Sequence, residues 1–177
     1  MTISLYDASV ASYIQTLESI AKVLDKGAQF AASGDLDLEK FVGLRLRDDM
    51  APLGFQLISV WHHSLGAVRG LQTGEFGPPP KMGDMDYAKL RALVDEAVTS
   101  LRDESPDTIN ALAGNPVVFK MGATEIPFTA TNFILSFSLP NFYFHATTSY
   151  DILRMQGVPL GKIDFLGRLR VTSQRPG

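Results

Sequence analysis

Residues 139–167 read LPNFYFHATTSYDILRMQGVPLGKIDFLG. In the first half, Phe142, His145, Ala146, Ser149, Ile152, Leu153 and Gln156 recur at three- and four-residue steps and share one face of a helix. His145 lies near the centre of that face, which turns a titratable ring toward the interior of whatever the helix packs against. The second half is interrupted by Gly157, Pro159, Gly161 and Gly167 and reads as a mostly irregular strap. Val158, Leu160, Phe165 and Leu166 are expected to pin the strap to the body, with Lys162 and Asp164 facing out or pairing.

Upstream, the helical pattern extends back to about Thr129, so one long segment covers 129–156. Pro140 has no N–H for the carbonyl of Ser136, and its ring crowds that carbonyl. The sequence therefore predicts a kink or break near Leu139. Before it, Pro116 to Lys120 and Thr124 to Phe128 flank Met121-Gly122-Ala123 and read as a small β-hairpin. Three further helices precede the hairpin. One runs from about Asp7, a plausible N-cap, to Ala32, where Ser33-Gly34-Asp35 offers glycine for a left-handed cap. The second starts at Pro52 after Asp48 and Asp49, read as helix-capping acids. Its apolar stripe is Leu53, Leu57, Val60, Trp61, Ser64, Val68 and Leu71. The third covers about Asp86 to Arg102. A connector with one helical turn near 38–42, a proline-rich loop over 74–85 and a short helix from Ser105-Pro106 toward Gly114 complete the chain.

Four amphipathic helices in 177 residues bury their stripes against each other. The expectation is a single all-α domain over 1–177, a four-helix bundle with one small β-hairpin, its tail at 157–177 packed on the bundle or irregular. The long loop at 74–85 permits a crossover and hence up-down-down-up topology. A net charge of −3, without a basic stripe, argues against nucleic-acid binding; Arg168 and Arg170 read as part of a solvated tail. There is no cysteine, which excludes disulfides and thiolate chemistry. Neither a signal peptide nor a membrane span is evident, so a cytoplasmic location is expected.

The block LPNFYFH, followed by Tyr150, Ile152-Leu153-Arg154, Gly157-Val158-Pro159, Gly161-Lys162 and Asp164-Phe165-Leu166-Gly167, resembles the C-terminal signature of a domain-of-unknown-function family. That family lies within the DinB/YfiT-like helical-bundle superfamily. ISLYDASV near the start and RLRDDMAPL from Arg45 to Leu53 resemble the same family. The resemblance implies a four-helix bundle with a crossover, a homodimer and, in many members, a divalent metal such as Zn or Ni. That metal is held by one histidine of the second helix and an HxxxH pair on the fourth. Some such members are thought to be thiol-dependent transferases or hydrolases.

The residues depart from that pattern. Four positions after His145 stands Ser149, a poor ligand for a divalent transition metal. His62 and His63 are adjacent and point about 100° apart. In regular helical geometry His62 falls on the flank of the apolar stripe with Ile58 and Arg69. His63 falls on the side of Gln56, Ser59 and Gly70. Both are expected to be partly exposed or at an interface.

Three readings follow. In the first, the metal triad is incomplete and a small ligand binds near His145, with Ser149, Thr148 and Tyr150 lining the pocket. In the second, a degenerate site using His145 and His62 holds a metal for hydrolysis or thiol transfer. In the third, the protein is a structural or interaction dimer and His145 is a core histidine bonded to a neighbour. No GxSxG, Walker-type or dinucleotide-binding glycine pattern is present, so no reaction is specified.

Overall fold

Ser4 begins the helical part of the chain. In the computed structural model, which describes residues 3–171, its hydroxyl accepts the Asp7 N–H and caps α1 (Leu5–Ala8). Asp7 is thus inside the first turn rather than at the cap, and its carboxylate accepts from Ser4 Oγ at 2.7 Å. The backbone steps out of helix at Ser9 and resumes as α2 (Val10–Ser33). At the far end of α2 Gly34 keeps φ −99°, and Asp35 takes the left-handed conformation at φ 51° instead. Aspartate tolerates that region better than most side chains.

A short α3 (Leu38–Val42), capped by Asp37, leads to the second long segment. This comprises α4 (Leu53–Trp61), a π-helical turn (His62–Gly66) and α5 (Ala67–Thr73). Asp48 and Asp49 do not cap it. Pro52 is the N-cap residue, no side chain bonds there, and the Leu53 N–H is satisfied by the Leu44 carbonyl at 2.8 Å. Gly74, at φ 78°, ends α5.

The expected loop then departs from expectation. Glu75 and Phe76 form β1 (Glu75–Phe76), which pairs in parallel with β2 (Pro116–Met121). β2 pairs antiparallel with β3 (Thr124–Thr129) around Gly122 at φ 60°, giving a three-stranded sheet in place of a bare hairpin. Two residues are too few to show an alternation, so β1 left no pattern to read. Between β1 and β2 lie α6 (Tyr87–Arg102), capped by Asp86, and α7 (Pro106–Ala111) with proline in its first turn.

The last long segment is α8 (Ala130–Phe133), a second π-helical turn (Ile134–Ser138) and α9 (Leu139–Met155). Pro140 does not break the helix. The wide turn just before it absorbs the lost i→i−4 bond, and Asn141 Nδ2 donates to the Phe137 carbonyl at 2.7 Å.

The four long segments close around one core. α2 packs on α6 and α9, and α4 packs on α9 and α6. Leu17, Ile20, Leu24, Leu57, Val60, Leu90, Val94, Phe142, Ile152 and Leu153 are all buried there. The strap is anchored by buried Val158 and Leu160, as the sequence suggested. It is less irregular than expected, because Lys162–Leu166 form α10 against α2. Asp164 pairs with Lys26 at 2.7 Å, and Gln15 donates to the Leu166 carbonyl. The tail beyond 171 lies outside the described residues. Among the described residues no helix is long and apolar enough to cross a membrane.

Candidate functional site

The three histidines of the chain, dispersed in the sequence, meet at one place. The His63 ring stacks on His145 at 5.8 Å and 16°, and lies 5.3 Å from His62. Neither second-helix histidine is exposed as expected; His62 is 7% and His63 8% accessible. The causes differ. His63 shares its side of the helix with Gln56 and Ser59, and all three are buried because α9 packs there. His62 is on the outward flank, but the β1 segment lies over it. Phe76 stacks on its ring at 4.3 Å, and Nε2–H donates to the Gly77 carbonyl at 2.8 Å. Gly66 makes room for that ring, since a Cβ there would sit 3.0 Å from His62 Nδ1.

His145 is half-buried on α9 and held by a residue the sequence reading did not single out as functional. Gln56 Nε2 donates to the Ala51 carbonyl at 2.9 Å, which turns Oε1 toward His145 Nδ1 at 2.7 Å. His145 therefore carries its proton on Nδ1, and the Nε2 lone pair is left as an acceptor. Burial pushes its pKa down to about 4, so the ring is neutral near pH 7. His63 is driven further, to about 3, first by burial and then by the neighbouring His62 and His145. His62 is lowered by burial, against the opposing pull of the Gly77 carbonyl. Exposed Phe55 and Phe144 stand edge-on to the His145 ring at 6.1 and 5.2 Å and frame its approach from solvent.

Behind the cluster runs a buried chain of hydroxyls. Ser138 Oγ donates to the His63 carbonyl at 2.7 Å, and Tyr13 donates to Ser138 Oγ at 2.7 Å. This chain ties α2 to both π-helical turns, since His63 is in one and Ser138 in the other. Burial raises the Tyr13 pKa well above its usual value, which keeps it a donor. His63 Nδ1 is buried and has no partner among the described residues.

The other residues expected to line a pocket take different positions. Thr148 and Ser149 are buried, and their hydroxyls donate back to the Phe144 and His145 carbonyls at 2.8 and 2.9 Å. Tyr150 packs edge-on against Phe165 of the strap at 5.9 Å. A three-histidine metal centre does not fit this arrangement. His62 spends Nε2 on a backbone carbonyl, the position one turn after His145 is a serine bonded to backbone, and the two remaining rings are stacked nearly parallel. Among the described residues no group of three His, Asp or Glu side chains converges to hold a metal ion.

Comparison with known proteins agrees with the frame and supplies no reaction. A family model described as a domain of unknown function, DUF1993, matches residues 5–166. The crystal structure of a DinB family member protein from Shewanella denitrificans is 27% identical, with a TM-score of 0.79 and 96% of each chain covered. No curated protein matches the sequence.

Proposed function

This chain belongs to the DUF1993 family of DinB-like helical proteins, and from that premise we propose that it binds a small uncharged molecule at His145 without a three-histidine metal. The supporting observation is the Gln56–His145 pair. A buried amide fixed at both ends holds the imidazole in one tautomer with Nε2 unprotonated, and two exposed phenylalanines stand edge-on to the ring. Such an arrangement favours a flat apolar body carrying an N–H or O–H donor. An anion would meet a lone pair. The site is read as lying in an up-down-down-up bundle whose crossover is the 74–85 stretch, in keeping with the similarity to the DinB family member.

Phenol and anisole, which differ in one donor, test the reading. Phenol is expected to shift the His145 Nε2 resonance, with anisole binding at least fivefold more weakly and His145→Ala abolishing the difference. Equal binding of the two, or a phenol response that survives His145→Ala, overturns the proposal. Titration with Zn²⁺ and Ni²⁺ separates this reading from the metal-dependent alternative of hydrolase or thiol transferase, and no stoichiometric uptake is expected. Stoichiometric uptake that moves the signals of His145 and a second-helix histidine together would replace the present reading with that one.

A further inference from the structure

A cavity lies away from the histidines, between α1 and the last long helical segment. It encloses about 530 Å³, within the range of small-molecule sites. One wall is a row at four-residue steps, Leu135, Leu139 and Tyr143, and the facing wall carries Leu5 and Ala8 of α1. Leu135 and Tyr143 are 52% and 40% exposed, more than a packed core would leave.

The polar groups around this cavity fall into two sets. Those of the first set are already engaged. Ser4 Oγ donates to the Asp7 carboxylate, and Thr131 Oγ1 donates to the Ala113 carbonyl at 2.8 Å. The second set gathers where the strap meets α2 and consists of the Tyr143 hydroxyl and the Arg170 guanidinium. Both also line a smaller adjoining cleft with Ser12. Arg170 reaches Ser12 Oγ at 3.4 Å, and among the described residues no carboxylate pairs with it. No hydrogen bond to a described residue engages the Tyr143 hydroxyl. An apolar cleft with two donors at one end, the charged Arg170 held only by a neutral hydroxyl and Tyr143 with no bond to a described residue, is built for an amphipathic anion.

We infer that this cleft is a binding site for an aliphatic carboxylate of medium chain length, its head group on Arg170 and Tyr143 and its chain along Leu135, Leu139 and Leu5. The site is separate from the His145 cluster and does not depend on the function proposed for it. Asp7, although it lines the cavity, is bonded to Ser4 and sets a preference for a single anionic end over a dianion.

Decanoate, decanol and butyrate, titrated into the full chain by calorimetry and followed by amide shifts, form the test. Decanoate is expected to bind at least tenfold more tightly than either decanol, which lacks the charge, or butyrate, which lacks the chain. Arg170→Gln should remove the advantage of decanoate over decanol and leave decanol unchanged. Leu135→Asp, at an exposed position that spares the fold, should weaken both ligands. Equal affinity of decanoate and decanol, indifference to both variants, or shifts centred on His145 would overturn the proposal. The last outcome would also count against an uncharged ligand at His145, whereas a failed phenol test would leave this one intact.

Discussion

His63 is the residue where the physics is most one-sided. Its neighbours are two other imidazoles, four of the surrounding rings belong to phenylalanine or histidine, and none of its contacts supplies a negative charge. Burial therefore depresses its folded-state pKa to about 3, and that of His145 to about 4, whereas an unfolded chain protonates each near 6.5. Below pH 6.5 the unfolded state binds more protons, so the stabilising effect of keeping these rings neutral is complete above that pH. It declines as the pH falls toward the folded-state values. Urea unfolding between pH 7.5 and 4.5 should show a loss on the order of 5 kcal/mol, of which His63→Gln should remove about half. A stability that stays level over the same interval would contradict this account. The His145 tautomer, by contrast, rests on Gln56. Gln56→Leu should preserve the fold to within about 2 kcal/mol and remove the preference for phenol over anisole. Sequence periodicity brought out His145 but not Gln56 or His63. A buried polar side of a helix looks the same in sequence as a solvated one; only the packing of α9 distinguishes them.

At the scale of elements, two contacts hold the segments in place. The first is the bridge from Tyr13 through Ser138 to the His63 carbonyl. Ser138→Ala leaves both a buried phenol and a buried carbonyl unpaired and should cost about 2–3 kcal/mol in chemical unfolding. Tyr13→Phe removes only the outer donor and should cost about 1 kcal/mol. The reverse order would mean that the bridge does not organise the two π-helical turns. The second contact joins α2 to α6. Tyr87 donates its hydroxyl to the Leu24 carbonyl at 2.8 Å and sits where a Cβ on Gly27 would be 2.6 Å away. Gly27→Ala should therefore destabilise by about 1–3 kcal/mol despite the better helix propensity of alanine. In a Tyr87→Phe background part of that cost should disappear, and strict additivity of the two changes would refute the steric cause. The long helices, the α3 turn and the hairpin were legible in their periodicity and turn residues. The π-helical turns were not, because their signal is a one-residue change of phase within a continuous apolar pattern. Pro140 marked the right place but suggested the wrong remedy.

For the whole molecule, the strap matters more than its irregular sequence suggests. Val158 and Leu160 are buried, and α10 lies along α2. Leu160→Ala should cost about 2–4 kcal/mol as measured by thermal or urea unfolding. Lys26→Ala, which breaks the exposed pair with Asp164, should change stability by less than about 1 kcal/mol. If the charge change proved the larger of the two, the strap would be held electrostatically and not by burial. The bundle architecture was readable from four amphipathic segments in one chain. The third strand was not, because β1 gains its partners from a part of the chain some forty residues away, beyond any local pattern.

The π-helical turn at His62–Gly66 also has a genealogical reading. Such a turn differs from regular helix by a single surplus residue. Deleting one residue within it would return α4 and α5 to a common phase and rotate α5 by about 100° relative to α4. Gly70, Leu71 and the entry into β1 would swing with it, and Phe76 would leave the His62 ring. The histidine cluster and the third strand should thus be lost together on that deletion. Relatives that lack the surplus residue should lack both together.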